Sequence, residues 1–364
     1  MQILRAAAAI AVVLYHVGVE KSHICADVGS SCAADLRFGI DGVRLFFMIS
    51  GYIMVVSSWN AFGKPGASWK FIQRRVQRIV PLYWIMTTLG VIGIALAPSM
   101  LTVPILDPLY VAGSYLFYPV TRVNGLVRPI ANLGWTLELQ VMFYVVFMAA
   151  LQFNRKLGLI LTMAFLALFT AGGVLGLYGQ SVPLNFWSDP IILDFIVGMV
   201  VAILYKGGIV LPRSAVWGLG LASLILAAGV VLQTPWIKSF PEANLLPRLI
   251  VGLPAATLFV LSTLGPQLIA SGLIARISLV LSNASFSLYL AHPFMLRVSA
   301  KIWAKFFESH LPMWAFTGAS TLVAIVSGLL LYWLVERPLA NFLTQKQPLK
   351  PAPPLAHATS AVPQ

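Results

Sequence analysis

Residues 79–106 read IVPLYWIMTTLGVIGIALAPSMLTVPIL, without a single Asp, Glu, Lys or Arg. Hydrocarbon offers the backbone amides no partner, so a chain crosses a bilayer as a helix of roughly 20 mostly apolar residues. This stretch is long enough to do so. Arg74, Arg75 and Arg78 stand immediately before it, a cationic flank of the kind that marks the cytoplasmic end of a span. Outward from this stretch, residues 157–188, 214–237, 277–296 and 309–335 are equally free of charge. Adding runs interrupted by one or two polar residues gives ten expected spans: 3–19, 38–58, 79–97, 133–152, 157–177, 190–205, 210–232, 249–264, 278–300 and 313–335. The fold class this predicts is an all-α polytopic membrane protein with about ten transmembrane helices in a single bundle. Residues 1–343 form its one domain, and the Pro- and Ala-rich residues 344–364 read as a disordered cytoplasmic tail.

Composition agrees. Of the 364 residues 59% are apolar and 10% charged, against about 25% charged in ordinary soluble domains, and the mean hydropathy is +0.88. That excludes a cytosolic globular enzyme and a disordered chain. The net charge of +13 would suit a nucleic acid only if the basic residues clustered on a solvated face, whereas they sit mainly between apolar runs. No nucleic-acid partner is expected; the bilayer is.

Lys and Arg set the orientation. With the N-terminus inside, inner loops hold thirteen of them and outer loops nine, and the first inner loop holds five against two in the preceding outer loop. Both termini are therefore expected in the cytoplasm. Cys25 and Cys32, the only cysteines, then fall in the first outer loop, either as a disulfide or as two free thiols. The first apolar stretch reads as a retained helix rather than a signal peptide, because it carries His16 and lacks a small-residue cleavage pattern after it.

Ionisable residues inside spans are costly and usually face a partner or a cavity. Seven qualify: Arg5, His16, Asp41, Arg44, Glu138, Asp194 and His292. Eleven helical steps bring Arg5 and His16 to nearly the same face, about 16 Å apart along the axis. A long anionic ligand would fit, its phosphates at the arginine and its reactive end at the histidine. The blander reading has Arg5 snorkelling to headgroups and His16 as a hydrogen-bonded packing residue. Arg74, Arg75 and Arg78 would converge on a helical turn and suit phosphate, or else serve only as an orientation signal. Asp41 and Arg44, three apart, could neutralise each other. Ser285, Tyr289 and His292 share a helical face, either as a cavity wall or as an interhelical network.

Six segments, taken in order, resemble the membrane acyltransferase 3 family, in the branch that decorates bacterial exopolysaccharides. They are 4–16 with Arg5 and His16; 42–52 (GVRLFFMISGY); 74–84 (RRVQRIVPLYW); Gly134-Trp135-Thr136-Leu137 with Phe143-Tyr144; 284–293 (ASFSLYLAHP); and 335–339 (VERPL). The resemblance spans residues 1 to about 340. It implies a transferase of the bacterial inner membrane that moves an acyl group, most often acetyl from acetyl-CoA, to a carbohydrate hydroxyl. Its partners are then acyl-CoA, a carbohydrate acceptor and a polysaccharide synthase complex. Acetyl-CoA is a cosubstrate, and no permanently bound cofactor and no metal is expected.

By that resemblance His16 is the catalytic base, and Arg5, Arg74, Arg75 and Arg78 hold the cosubstrate. Trp135, Tyr144, Tyr289 and His292 are candidates for the acceptor side. Two positions depart from the family pattern: Arg44 stands where an Asp is common, and Gln140 where a Glu is common. Asp41 and Glu138 are the nearest carboxylates, although Glu138 lies about 200° round the helix from Gln140. Acyl transfer needs a deprotonated acceptor or a covalent relay, and stabilisation of the developing oxyanion. No serine or cysteine motif offers itself, so His16 acts as base or as a transient acyl carrier. The competing readings are a transporter and a non-catalytic accessory subunit of a polysaccharide synthesis and export system.

Overall fold

The computed structural model describes residues 1–27, 39–96, 107–122, 125–231, 245–266, 272–307 and 310–345. Among these residues the protein is helical, with one isolated β-bridge between Thr121 and Val127. The helices are α1 (Gln2–Asp27), α2 (Gly39–Ser58), α3 (Ala67–Leu96), α4 (Pro108–Leu116), α5 (Trp135–Ala150), α6 (Arg155–Val174), α7 (Val182–Trp187), α8 (Leu193–Lys206), α9 (Arg213–Val231), α10 (Leu245–Leu264), α11 (Gly272–Asn283), α12 (Ser285–Phe306), α13 (Met313–Leu331) and α14 (Arg337–Gln345). A π-turn, Tyr332–Glu336, joins the last two.

Every expected span contains a helix. By length and composition α1, α3, α5, α6 and the α13–α14 run are each able to cross a bilayer, and α11 with α12 makes a sixth if that bent pair counts as one span. The count of ten is thus not reached among the described residues, where α2, α9 and α10 give shorter apolar helices. Large apolar side chains such as Leu89, Leu168, Leu221, Leu224 and Leu322 point outward. Water would penalise that surface and lipid accepts it. This is a multi-pass membrane protein.

Three boundaries differ from expectation. The third helix starts at Ala67, so Arg74, Arg75 and Arg78 stand on α3 rather than in a loop. Pro254 and Pro293 lie inside continuous helices. The chain breaks instead at Ala284, where α11 and α12 meet at 71°. Helix α14 runs to Gln345, two residues into the expected tail, whose remainder lies outside the described residues. Cys25 is buried near the end of α1 and disulfide-bonded, while Cys32 lies outside the described residues.

Helices α2 and α8 pack backbone to backbone. A Cβ on Gly51 would fall 2.2 Å from the Phe195 carbonyl oxygen, and one on Gly198 would fall 2.0 Å from that of Met48. Small residues permit such approach, and in lipid close packing replaces the hydrophobic drive between helices. Gly198→Ala is therefore expected to destabilise by about 1–3 kcal/mol, since helix backbones cannot yield as a flexible side chain does. Thermal melting in detergent checks this against Gly218→Ala on α9, where a Cβ meets nothing within 4 Å.

The buried pair Arg44–Asp194 crosses the same interface, with Nη1 to Oδ2 at 3.3 Å. Among the described side chains, the carboxylate that Arg44 meets is thus on α8. Gly252 on α10 makes room for it, since a Cβ there would lie 2.3 Å from Arg44 Nη1. Asp41 is in the first turn of α2, and its side chain lies outside what is described.

Candidate active site

Helix α1 lies along α12 and is tied to it at both ends. Arg5 Nη2 donates to Ser285 Oγ at 3.0 Å, at the break before α12, and Arg297 Nη1 pairs with Glu20 Oε2 at 3.0 Å. Between these ties the rings of His16 and His292 meet, with centroids 5.1 Å apart and planes at 67°. Arg5 and His16 therefore do share one face of α1, the one turned to α12.

At the arginine end a cleft opens between α1, α2, α3, α5 and α12. Arg5, Arg75 and Arg78 stand on its walls, over an apolar floor that includes Phe46, Ile53 and Met54. Arg75 lies over the rings of Phe71 and Tyr144, at 5.5 and 6.0 Å, and its buried Nε has no hydrogen-bond partner among the described residues. Such a guanidinium is presented by aromatic faces rather than neutralised by a carboxylate. Arg75 also lines a neighbouring depression, together with Lys64, Lys70 and Arg74. The arginine run is thus divided: Arg75 and Arg78 face the cleft and Arg74 the depression.

Deeper in the cleft, Gln140 donates to Ser50 Oγ at 2.8 Å and to the Tyr144 hydroxyl. The hydroxyls of Thr136 and Tyr289 lie 2.7 Å apart, and both reach the Leu133 carbonyl, at 3.0 and 3.1 Å. Tyr289 is thereby fixed as a wall between the cleft and the histidines, its ring 6.1 Å from that of His292. Neither His16 nor His292 lines the cleft itself.

Trp135 and Glu138 also stand apart from the cleft. The Arg128 guanidinium covers the Trp135 ring at 4.6 Å. Burial, and then the nearby Arg122, lowers the Arg128 pKa from its ordinary value. Glu138 is 1% exposed, its Oε2 has no hydrogen-bond partner among the described residues, and it interacts electrostatically with Arg128 and Arg122. It faces away from Gln140, as the helical period requires.

Sequence reasoning missed Glu336. Its carboxylate accepts from Ser287 Oγ at the start of α12 and lies within electrostatic reach of Arg5 and Arg78. An anion suits a helix N-terminus. The expected last span ended at Val335, one residue too early for Glu336 to count as an intramembrane charge.

A helical membrane bundle with cationic side chains around an amphipathic cleft, and paired imidazoles behind it, defines a class, and the comparisons agree with it. The chain matches the acyltransferase 3 family, described as an acyltransferase domain, over residues 1–333, and belongs to that family. It is a membrane acyltransferase. It is 33% identical over 314 residues to the exopolysaccharide production protein ExoZ of Rhizobium meliloti (strain 1021), covering 83% of this chain and 89% of that one. It is 26% identical over 387 residues to the acyltransferase MdmB of Streptomyces mycarofaciens, covering 96% and 93%. No solved structure matches.

Proposed function

We propose that this protein transfers acetyl from acetyl-CoA to a hydroxyl of a cell-surface or exported polysaccharide, or of its lipid-linked precursor. The observation that carries this reading is the convergence of Arg5, Arg75 and Arg78 on one cleft, with Tyr289 between it and the two histidines. Guanidinium groups bind phosphate bidentately, and the apolar floor suits the thin pantetheine arm. The adjoining depression offers Lys64, Lys70 and Arg74 to further phosphates. The similarity to ExoZ supports a polysaccharide acceptor, and a synthase complex is the partner this implies.

In this scheme the arginine end faces the cytoplasm, where acetyl-CoA is made, with both termini on that side of the bacterial inner membrane. Neutral His16 takes the acceptor proton. Its Nδ1 lies 2.9 Å from the Val12 carbonyl, which can only accept, so Nδ1 holds the proton and Nε2 is left as the base.

Acetyl-CoA is expected to raise the thermal midpoint of the purified protein, as any ligand of the folded state does, and free sugar is not. Loss of one ester from the host's surface polysaccharide on deletion tests the transfer itself. Substrate flux without acyl product would favour a transporter instead. Arg75→Ala should weaken acetyl-CoA binding roughly 10- to 100-fold, the worth of a charge-assisted hydrogen bond at about 1.5–3 kcal/mol, with Arg75→Lys restoring only part. Titration calorimetry at two salt concentrations measures both variants.

A further inference from the structure

We infer that Gln140, with the Ser50 and Tyr144 hydroxyls it holds, forms a clamp for an amide group of the pantetheine arm. This rests on the acyl-CoA reading above and names the part of the donor that the cleft recognises between phosphate and thioester. All three side chains line the cleft. Gln140 and Tyr144 stand one turn apart on α5, and Ser50 meets Gln140 from α2.

The Gln140 side-chain nitrogen donates to Ser50 Oγ at 2.8 Å and to the Tyr144 hydroxyl. An amide N–H only donates, so both hydroxyls accept in these bonds and each keeps its own hydrogen. Among the described residues neither hydrogen finds an acceptor, and nothing donates to Gln140 Oε1. The trio therefore leaves two O–H donors and one carbonyl acceptor in one cleft. The neighbouring hydroxyls differ. Those of Thr136 and Tyr289 have only each other and the Leu133 carbonyl to donate to, and both of their hydrogens are committed there. A glutamate at position 140 would accept from both Ser50 and Tyr144, whereas the glutamine leaves their hydrogens to a ligand.

Polar groups on an apolar cleft wall call for partners, and these call for a ligand with a carbonyl and an N–H side by side. The floor of Phe46, Ile53 and Met54 disfavours a further charge at that point. The Arg75 guanidinium lies over the Tyr144 ring, 6.0 Å from its centroid, so the clamp adjoins the phosphate-binding arginines. The ligand is thus anionic at one end and, next to that end, apolar with a secondary amide. Phosphopantetheine is built in that order: a phosphate, a dimethyl-substituted carbon, then an amide C=O and N–H. A glycerolipid phosphate carries ester carbonyls beyond its phosphate but no N–H, so it would leave Gln140 Oε1 unpaired.

The test separates the two halves of CoA. Titration calorimetry on the full chain in detergent compares CoA with ribose-phosphorylated ADP, the nucleotide half, which keeps every phosphate and lacks the arm. Two variants remove the clamp by different routes and leave its charge unchanged. Ser50→Ala combined with Tyr144→Phe deletes the two donors and keeps the ring under Arg75, while Gln140→Met deletes the acceptor at similar volume. Both are expected to bind CoA about 10-fold more weakly or worse, and the nucleotide half within about twofold of wild type. CoA affinity unchanged in both variants, or an equal loss for both ligands, overturns the clamp. So does a wild-type protein that binds CoA no more tightly than the nucleotide half, although the acyl-CoA reading then stands. If the wild-type protein binds neither CoA nor acetyl-CoA, that reading falls and the clamp with it.

Discussion

His16→Ala is expected to cut acyl transfer by about 10³-fold or more, while the protein still accumulates in the membrane at the wild-type level. A positioned general base contributes typically 10²–10⁴ in rate. In the proposed reaction the anchoring of His16 suits it to act as the base. One nitrogen is committed to the Val12 carbonyl, which leaves the other to take a proton. The fold should tolerate the change, because α1 keeps its ties at Arg5–Ser285 and Glu20–Arg297. The ester content of the host polysaccharide, set against the amount of protein in the membrane, decides the matter. Normal esterification in the variant excludes His16 as the base and as an acyl carrier alike.

The largest stability effect is expected at Asp194. Its side chain and that of Arg44 are 9% and 8% exposed, and they meet across the tight α2–α8 interface. Removing one member of a buried pair strands the other, at a cost of about 3–5 kcal/mol. Asp194→Leu should accordingly lower the melting midpoint in detergent well below that of Gly198→Ala, and reduce the yield. Replacing both partners by apolar residues is often neutral, so Arg44→Leu combined with Asp194→Leu should recover most of the loss. A double variant no better than the single one would show that the pair is not what Asp194 contributes.

These residues also mark where reading the sequence succeeded and where it stopped. Arg5 and His16 were legible as a pair because the helical period is local, so eleven residues along one helix fix their relative direction whatever surrounds them. The opposed directions of Glu138 and Gln140 followed from the same geometry. Arg44 was not legible in this way. Nothing local announces that Arg44 meets a carboxylate 150 residues away, on α8. His292 could be recognised as an intramembrane histidine, but nothing local says that its ring lies against that of His16. Nor does any local signal place the helix break at Ala284 when Pro293 is the residue that usually breaks helices.

The sequence alone therefore determined that this is a helical membrane protein, roughly where its helices run, and which side chains lie along a common face. The cost of exposing backbone and charge to hydrocarbon is a property of each segment taken by itself. Only the tertiary structure decided which faces meet. It placed Arg5, Arg75 and Arg78 around one cleft, put Arg74 outside it, and set the two histidines against each other behind Tyr289. Those choices follow from close packing between helices distant in sequence, through contacts such as Gly51 on Phe195 and Gly198 on Met48, which no single segment contains.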